Sequence, residues 1–244
     1  MNVAVKTDVG LIREINQDAY LWCSEPNIAL FAVADGMGGH NAGEIASSLA
    51  INTINDIIYR DKNKLENGDS NIFRLIYNIL NKANNVILSK SEKENDLSGM
   101  GTTITLAYIY DDNIYIGHIG DSRAYLFRNN KLIQITEDHS LVAQLVKNGT
   151  ISEEEAANHP QKNIITRALG TDYIIKPDIF KRDIENGDII MLCTDGLTNM
   201  LKDEDISEIL TKEENLDVAC DTLINKANNV GGTDNTTVML IKVD

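Results

Sequence analysis

The sequence predicts an α+β fold of mostly antiparallel sheets with helices packed on their outer faces. Strand-like runs crowd the middle and both ends of the chain, and helical segments fall in groups between them. Several runs alternate apolar with polar residues, the mark of a half-buried antiparallel strand. A doubly wound parallel sheet would instead alternate strand and helix regularly.

Asn2–Asp8 alternates as a first strand, and Ile28–Ala34 is an apolar strand that ends at Asp35. Helical spacing then fits Ala42–Tyr59 and Asn71–Ser89, with Asn71 as the expected N-cap. The polar stretches Asp61 to Ser70 and Lys90 to Ser98 read as connectors. Strands follow at Thr103–Tyr110, Asn113–Ile119, Ala124–Arg128 and Lys131–Thr136, with Asp111-Asp112 and Asn129-Asn130 as tight hairpin turns between them. Short helices fit Ser140–Lys147 and Ser152–Ala157, the second opened by a capping box of Ser152 with Glu155. A strand at Asp188–Thr194, helices at Asp203–Leu210 and Leu216–Asn228, and a strand at Thr236–Val243 complete the chain. With only three prolines and no repeat or low-complexity linker, residues 1–244 read as one domain.

A chain of 244 residues can bury a sizeable core. Its net charge of −15 repels nucleic acid and anionic lipid, so neither is an expected partner. No apolar run approaches the ~18 residues that span a bilayer. The start lacks the basic-then-apolar layout of a signal peptide, so the expected location is the cytoplasm. Nothing in the sequence asks for an obligate oligomer, and a monomer is expected. Cys23, Cys193 and Cys220 are far apart and form no CxxC, so each is expected to be a small buried apolar residue.

Aspartates recur at strand ends. Asp35 precedes Gly36-Met37-Gly38-Gly39, Asp121 follows Gly120, Asp195 precedes Gly196, and Asp234 sits in Gly231-Gly232-Thr233-Asp234-Asn235. Asp18 lies in Arg13-Glu14-Ile15-Asn16-Gln17-Asp18, before another apolar stretch. An isolated aspartate there caps a turn more often than it does chemistry. Repetition beside glycines suggests otherwise, because glycine lets backbone and carboxylate approach a ligand closely. If the strands share sheets, their ends bring the carboxylates together, where they raise one another's pKa unless cations intervene. Oxygen-only ligands select Mg²⁺, Mn²⁺ or Ca²⁺ over zinc. His40, His118, His139 and His159 form no HxxxH pair, and His118, inside an apolar run, is expected to be a hydrogen-bonded structural residue. Paired ions about 4 Å apart activate water and clamp a phosphoryl group. A guanidinium offers a fork for the remaining oxygens. Arg13 is the best placed by sequence, whereas structural salt bridges are expected of Arg123 and Arg167.

Beyond these single features, ordered blocks run nearly end to end. They include Arg13…Asn16-Gln17-Asp18, Val33-Ala34-Asp35-Gly36-Met37-Gly38-Gly39-His40, Ser98-Gly99-Met100-Gly101-Thr102-Thr103 and Gly120-Asp121-Ser122-Arg123. Glu137-Asp138-His139-Ser140, Ile165-Thr166-Arg167-Ala168-Leu169-Gly170, Cys193-Thr194-Asp195-Gly196-Leu197 and Gly232-Thr233-Asp234-Asn235 follow. In this order they resemble the metal-dependent, type 2C protein phosphatases in their compact bacterial form. The resemblance implies a four-layer α-β-β-α sandwich and hydrolysis of phosphoserine and phosphothreonine with two Mn²⁺ or Mg²⁺ ions. It implies that Asp35 bridges both ions and that the Gly36 carbonyl joins one of them. Asp195 and Asp234 would hold the first, and Asp18 would support the second, partly through water. Asp121, with Asp195, matches the position of a third, weaker ion. Arg13 matches the phosphate-binding arginine, and residues 137–164 match a flap beside the site. The implied partners are a serine/threonine kinase and its phosphorylated targets.

One position departs from the animal members of that family. Met37 stands where they carry a histidine proposed as general acid, which leaves His40 or a metal-bound water for that role. Other readings stand beside this one. Ile28–Ala34 with Gly36-x-Gly38-Gly39 and a following helix suggests a dinucleotide turn, although Asp35 would set negative charge against pyrophosphate. A catalytically inactive relative would bind phosphopeptides as a regulatory module, against which the retained Asp35, Asp195 and Asp234 speak. A phosphatase of small phosphoesters, or an anti-sigma antagonist, would use the same chemistry.

Overall fold

The computed structural model describes residues 1–25, 28–39, 42–61 and 68–244. Its elements run β1 (Asn2–Asp8), β2 (Asp18–Glu25), β3 (Ile28–Met37), α1 (Ala42–Asp61), α2 (Asp69–Lys93), β4 (Gly101–Thr102), β5 (Ile104–Tyr110), β6 (Asn113–Ile119), β7 (Arg123–Arg128) and β8 (Lys131–Gln134). Then come α3 (Leu141–Lys147), α4 (Glu153–Ala157), β9 (Asp178–Asp183), β10 (Ile189–Cys193), α5 (Asp195–Thr198), α6 (Asp203–Lys212), α7 (Leu216–Val230) and β11 (Thr236–Lys242).

The strands form two sheets, ordered β1-β11-β10-β7-β8 and β2-β3-β5-β6-β9, with β4 added to the end of β3. Every pairing is antiparallel, which removes the parallel sheet that a dinucleotide fold requires. Phe31, Val33 and Ile116 of one sheet pack against Leu126, Leu192 and Met239 of the other. Outside the second sheet, Leu30 and Leu106 meet Ile54 of α1 and Ile76 of α2. Outside the first, Met191 and Leu240 meet Ile206 of α6 and Leu223 of α7. The layers are therefore α-β-β-α, as expected.

Local signals are honoured where they are strong. The hairpin residues Asp111, Asn129 and Asn130 adopt positive φ, as their tight turns require. Both halves of the Ser152–Glu155 capping box form. The cysteines are free and buried. Helix α2 departs from expectation at both ends. It starts after Gly68 rather than Asn71, and it continues to Lys93 through residues expected to be a connector. Its exposed face there is polar, so the apolar stripe that ends at Ile87 understates its length. Asn95–Leu97 then turns once as a 3-10 helix.

Strands β2 and β9 were not foreseen, and both are sheet edges. In β2 the outward Tyr20 and Trp22 are as apolar as the inward Leu21 and Cys23, so alternation is masked. In β9 the sequence is mostly charged, and pairing with β6 supplies the order that its composition lacks. Among the described residues no helix is long and apolar enough to cross a membrane.

Phe31 is fully buried between the sheets. Phe31→Ala should lower unfolding free energy by about 3–5 kcal/mol, read from urea titration of the folded protein. A loss well under 1 kcal/mol would place that ring outside the load-carrying core.

Candidate active site

Strand pairing collects the aspartates at one end of the sandwich. β2 and β3 set Asp18 directly opposite Asp35. Asp35 is fixed through its backbone, whose N–H donates to Thr103 Oγ1 at 2.9 Å and whose carbonyl accepts from Thr102 Oγ1 at 2.8 Å. Asp121 follows β6, the next strand but one in the same sheet. In the other sheet β10 and β11 are neighbours. Asp195 opens α5 just after β10, and Asp234 lies two residues before β11, so both reach the same rim. Asp35 and Asp195, carried by different sheets, are close enough for Asp195 to raise the Asp35 carboxyl by repulsion.

Electrostatics follow from this crowding. Burial, and then repulsion from Asp18, Asp195, Asp121 and Asp234, hold the Asp35 carboxyl well above the usual carboxylate range. Burial first, and then Asp195 and Asp138, push Asp121 up to about 8. Burial pushes Asp18 up to about 7, with Asp195 and Asp234 adding to it and the Thr237 and Thr194 hydroxyls opposing it. Asp195 is raised by burial and by Asp234. Among the described residues no group of histidine, cysteine or acidic side chains is already gathered about a single ion position. The carboxylates are close neighbours, not a closed cage.

The donor set nevertheless fits hard divalent cations. Asp18 Oδ1, Asp121 Oδ1 and Asp195 Oδ1 are buried without a hydrogen-bond partner. Such atoms carry a desolvation cost that a cation or ordered water removes. All are oxygens, which suits Mg²⁺ or Mn²⁺. Cys193, on the adjoining strand, is fully buried and its thiol is pushed up to about 12, so no thiolate competes.

Glycine permits the close packing. A Cβ on Gly36 would lie 2.0 Å from the Gly43 carbonyl oxygen, and one on Gly196 would lie 2.0 Å from the Asn235 carbonyl oxygen. Only glycine lets β3 meet α1, and α5 meet the approach to β11, at these distances. The segment carrying Arg13 is tied down by Asn235. Its Nδ2 donates to the Val9 and Ile15 carbonyls, each at 3.0 Å, and its Oδ1 accepts from Gln17 N–H at 2.8 Å. Arg13 Nη2 meets Asp234 Oδ2 at 2.8 Å with half the arginine side chain still exposed.

The structure thus gathers Asp18, Asp35, Gly36, Asp121, Asp195, Asp234 and Arg13 at one rim. His40 lies outside the described residues. Met37 packs toward Gly101. His118 is fully buried and bonded to Thr105 Oγ1 and the Glu137 carbonyl, a structural role as expected. Arg123 forks onto Asp138 and Arg167 pairs with Asp178, also as expected. Sequence reasoning did not single out Thr194, Thr237 or Asn235, although each directly adjoins a named aspartate or lies within three residues of one. Beside the carboxylates a cavity of about 990 Å³ opens, lined by Asp121 and Asp195 together with residues such as Val142, Lys147 and Ala156.

Residues 13–223 match the protein phosphatase 2C family. The serine/threonine phosphatase stp of Listeria monocytogenes is 40% identical over 245 residues, covering 100% of this chain and 96% of its own. This chain belongs to the protein phosphatase 2C family. The serine/threonine phosphatase of S. agalactiae has the same fold, with a TM-score of 0.91 and 39% identity over 100% of this chain and 99% of that one. The catalytic domain of the serine/threonine protein phosphatase PstP, solved in complex with two manganese ions, matches with a TM-score of 0.85 and 36% identity over 100% of this chain and 98% of that one. This protein phosphatase 2C member is accordingly a phosphatase enzyme.

The raised carboxylates give a signed pH effect for the chelator-treated phosphatase. Their folded pKa values exceed the unfolded ones, so their stabilisation is present at low pH and is lost as pH rises through about 7 for Asp18 and about 8 for Asp121. Stability should therefore fall by roughly 1–3 kcal/mol between pH 6.5 and 8.5. A flat or rising Tm over the same range would show that the carboxylates are not crowded in solution.

Proposed function

We propose that this protein phosphatase 2C member, a serine/threonine protein phosphatase, hydrolyses phosphoserine and phosphothreonine monoesters with two Mn²⁺ or Mg²⁺ ions. The supporting observation is the convergence of carboxylates from both sheets on one rim, with three buried oxygens lacking partners. Asp35 would serve both ions and the Gly36 carbonyl one of them. Asp195 and Asp234 would hold the first ion, and Asp18 would support the second. Asp121 with Asp195 would take a third, weaker ion. When bound, the ions supply an activated water for in-line attack and neutralise charge on the phosphoryl oxygens.

The remaining work falls to the chain. Arg13, exposed at the rim and resting against Asp234, has a planar fork that can exchange one carboxylate for phosphoryl oxygens. Its segment is held by Asn235, so binding phosphate costs little loop ordering. The leaving seryl or threonyl oxygen needs a proton, and Met37 has none to give; His40 and water are the two donors open to it. The cavity beside Asp121 and Asp195 would receive the peptide that carries the phosphoresidue, with residues 137–164 as its flap. Residues 1–244 would act as one domain, as a monomer in the cytoplasm, on a serine/threonine kinase and its phosphorylated targets.

The test is turnover of a phosphothreonine peptide by chelator-stripped protein with and without Mn²⁺. Activity should appear only with the ion, and Asp35→Asn should lower kcat/KM by about 10²-fold or more. Arg13→Ala should lower kcat/KM by about 10–100-fold, since it removes one charge-assisted fork from the phosphoryl group. Equal turnover with and without Mn²⁺, or full activity in Asp35→Asn, would sink the proposal.

A further inference from the structure

Thr194 and Thr237 are fully buried at the ends of β10 and β11, positions at which a β-sheet core ordinarily holds valine. A buried hydroxyl is costly unless it is hydrogen-bonded. Both hydroxyls cross to the other sheet and donate to one oxygen, Asp18 Oδ2, at 2.8 and 2.7 Å.

The direction of every bond in this group is fixed. The Thr237 backbone N–H, which can only donate, reaches Thr194 Oγ1 at 2.9 Å, so the Thr194 proton is free to point at Asp18. The Thr237 hydroxyl spends its proton on Asp18, so Thr7 Oγ1, opposite it at 2.7 Å, must donate to Thr237. Thr7 in turn accepts from Asn16 Nδ2 at 2.9 Å. Asn16 Oδ1 closes the group by accepting the Asp18 N–H at 3.1 Å. Donors therefore run one way, from Asn16 through Thr7 and Thr237 to Asp18, and each polarises the next. Oδ2 of Asp18 is occupied twice, while Oδ1 stays buried without a partner.

We propose that Thr194 and Thr237 are positioning residues that clamp Asp18 Oδ2 across the two sheets and so present Oδ1 to a divalent cation. This rests on the two-metal reading above, but it concerns residues with no part in ligation. Hydrogen-bond donors that hold a metal-ligating side chain from behind typically change metal affinity by about 10–100-fold.

The experiment is Mn²⁺ titration of chelator-stripped protein by calorimetry, alongside the metal-free Tm. Thr194→Val and Thr237→Val should each weaken binding of at least one Mn²⁺ by about 10–100-fold. Thr194→Ser and Thr237→Ser, which keep the donor, should bind within a few-fold of the parent. Thr7→Val, one bond further back, should weaken binding less than Thr237→Val. Ile190→Val, in the core between the sheets, is the control: it should lower Tm without changing Mn²⁺ affinity. If Thr237→Val does not fold, Thr194→Val and its serine counterpart decide alone. Folded valine variants that bind Mn²⁺ like the parent, or serine variants as weak as valine ones, overturn the clamp and leave the two-metal reading standing. A parent protein that binds no Mn²⁺ overturns both.

Discussion

Like charges crowded at one end of a two-sheet sandwich govern the rest of this molecule. Asp18, Asp35, Asp121, Asp195 and Asp234 come to one rim because the strands that carry them end there. In so little water they repel one another and lose hydration, and four of them are held above the ordinary carboxylate range. A fold selected for stability alone would disperse them. Their retention is understandable if cations complete the site, since ions convert mutual repulsion into shared coordination.

The sandwich supplies what such a site needs, namely two rigid platforms facing each other. Each sheet contributes carboxylates, and neither sheet could assemble the set alone. The interval between them is set by interlocking apolar layers, such as Phe31 and Val33 against Leu192 and Met239. At the rim that packing gives way to the hydroxyl clamp on Asp18 and to backbone contacts at Gly36 and Gly196 too close for any Cβ. Stability and function thus share one boundary. The apolar core holds the sheets, and the polar rim fixes where the carboxylates stand relative to one another.

Several neighbouring ionisable groups are already committed or neutral. Cys193 is a buried thiol whose ionisation is suppressed. Burial pushes His118 down to about 4 and holds it neutral. Arg123 is engaged by Asp138 and Tyr125. Arg13 meets the rim at Asp234 while its side chain remains half exposed. A cavity lined in part by Asp121 and Asp195 opens beside the rim.

The sequence by itself determined a good deal. Strands with clear alternation, the hairpin turns at Asp111 and Asn129-Asn130, and the Ser152 capping box were legible because each depends on neighbours a few residues away. The aspartates beside glycine were legible as candidates because their residue type and flanking glycines carry chemical meaning. Strands β2 and β9 and the full length of α2 were not, because edge pairing and helix packing ordered segments whose own composition is ambiguous. Only the tertiary structure decided that Thr194 and Thr237, 176 and 219 residues from Asp18, donate to its carboxylate, and that Arg13 meets Asp234 across 221 residues. Local pattern records what a residue prefers. Which distant residue it finally touches is set by how two sheets close over a common core.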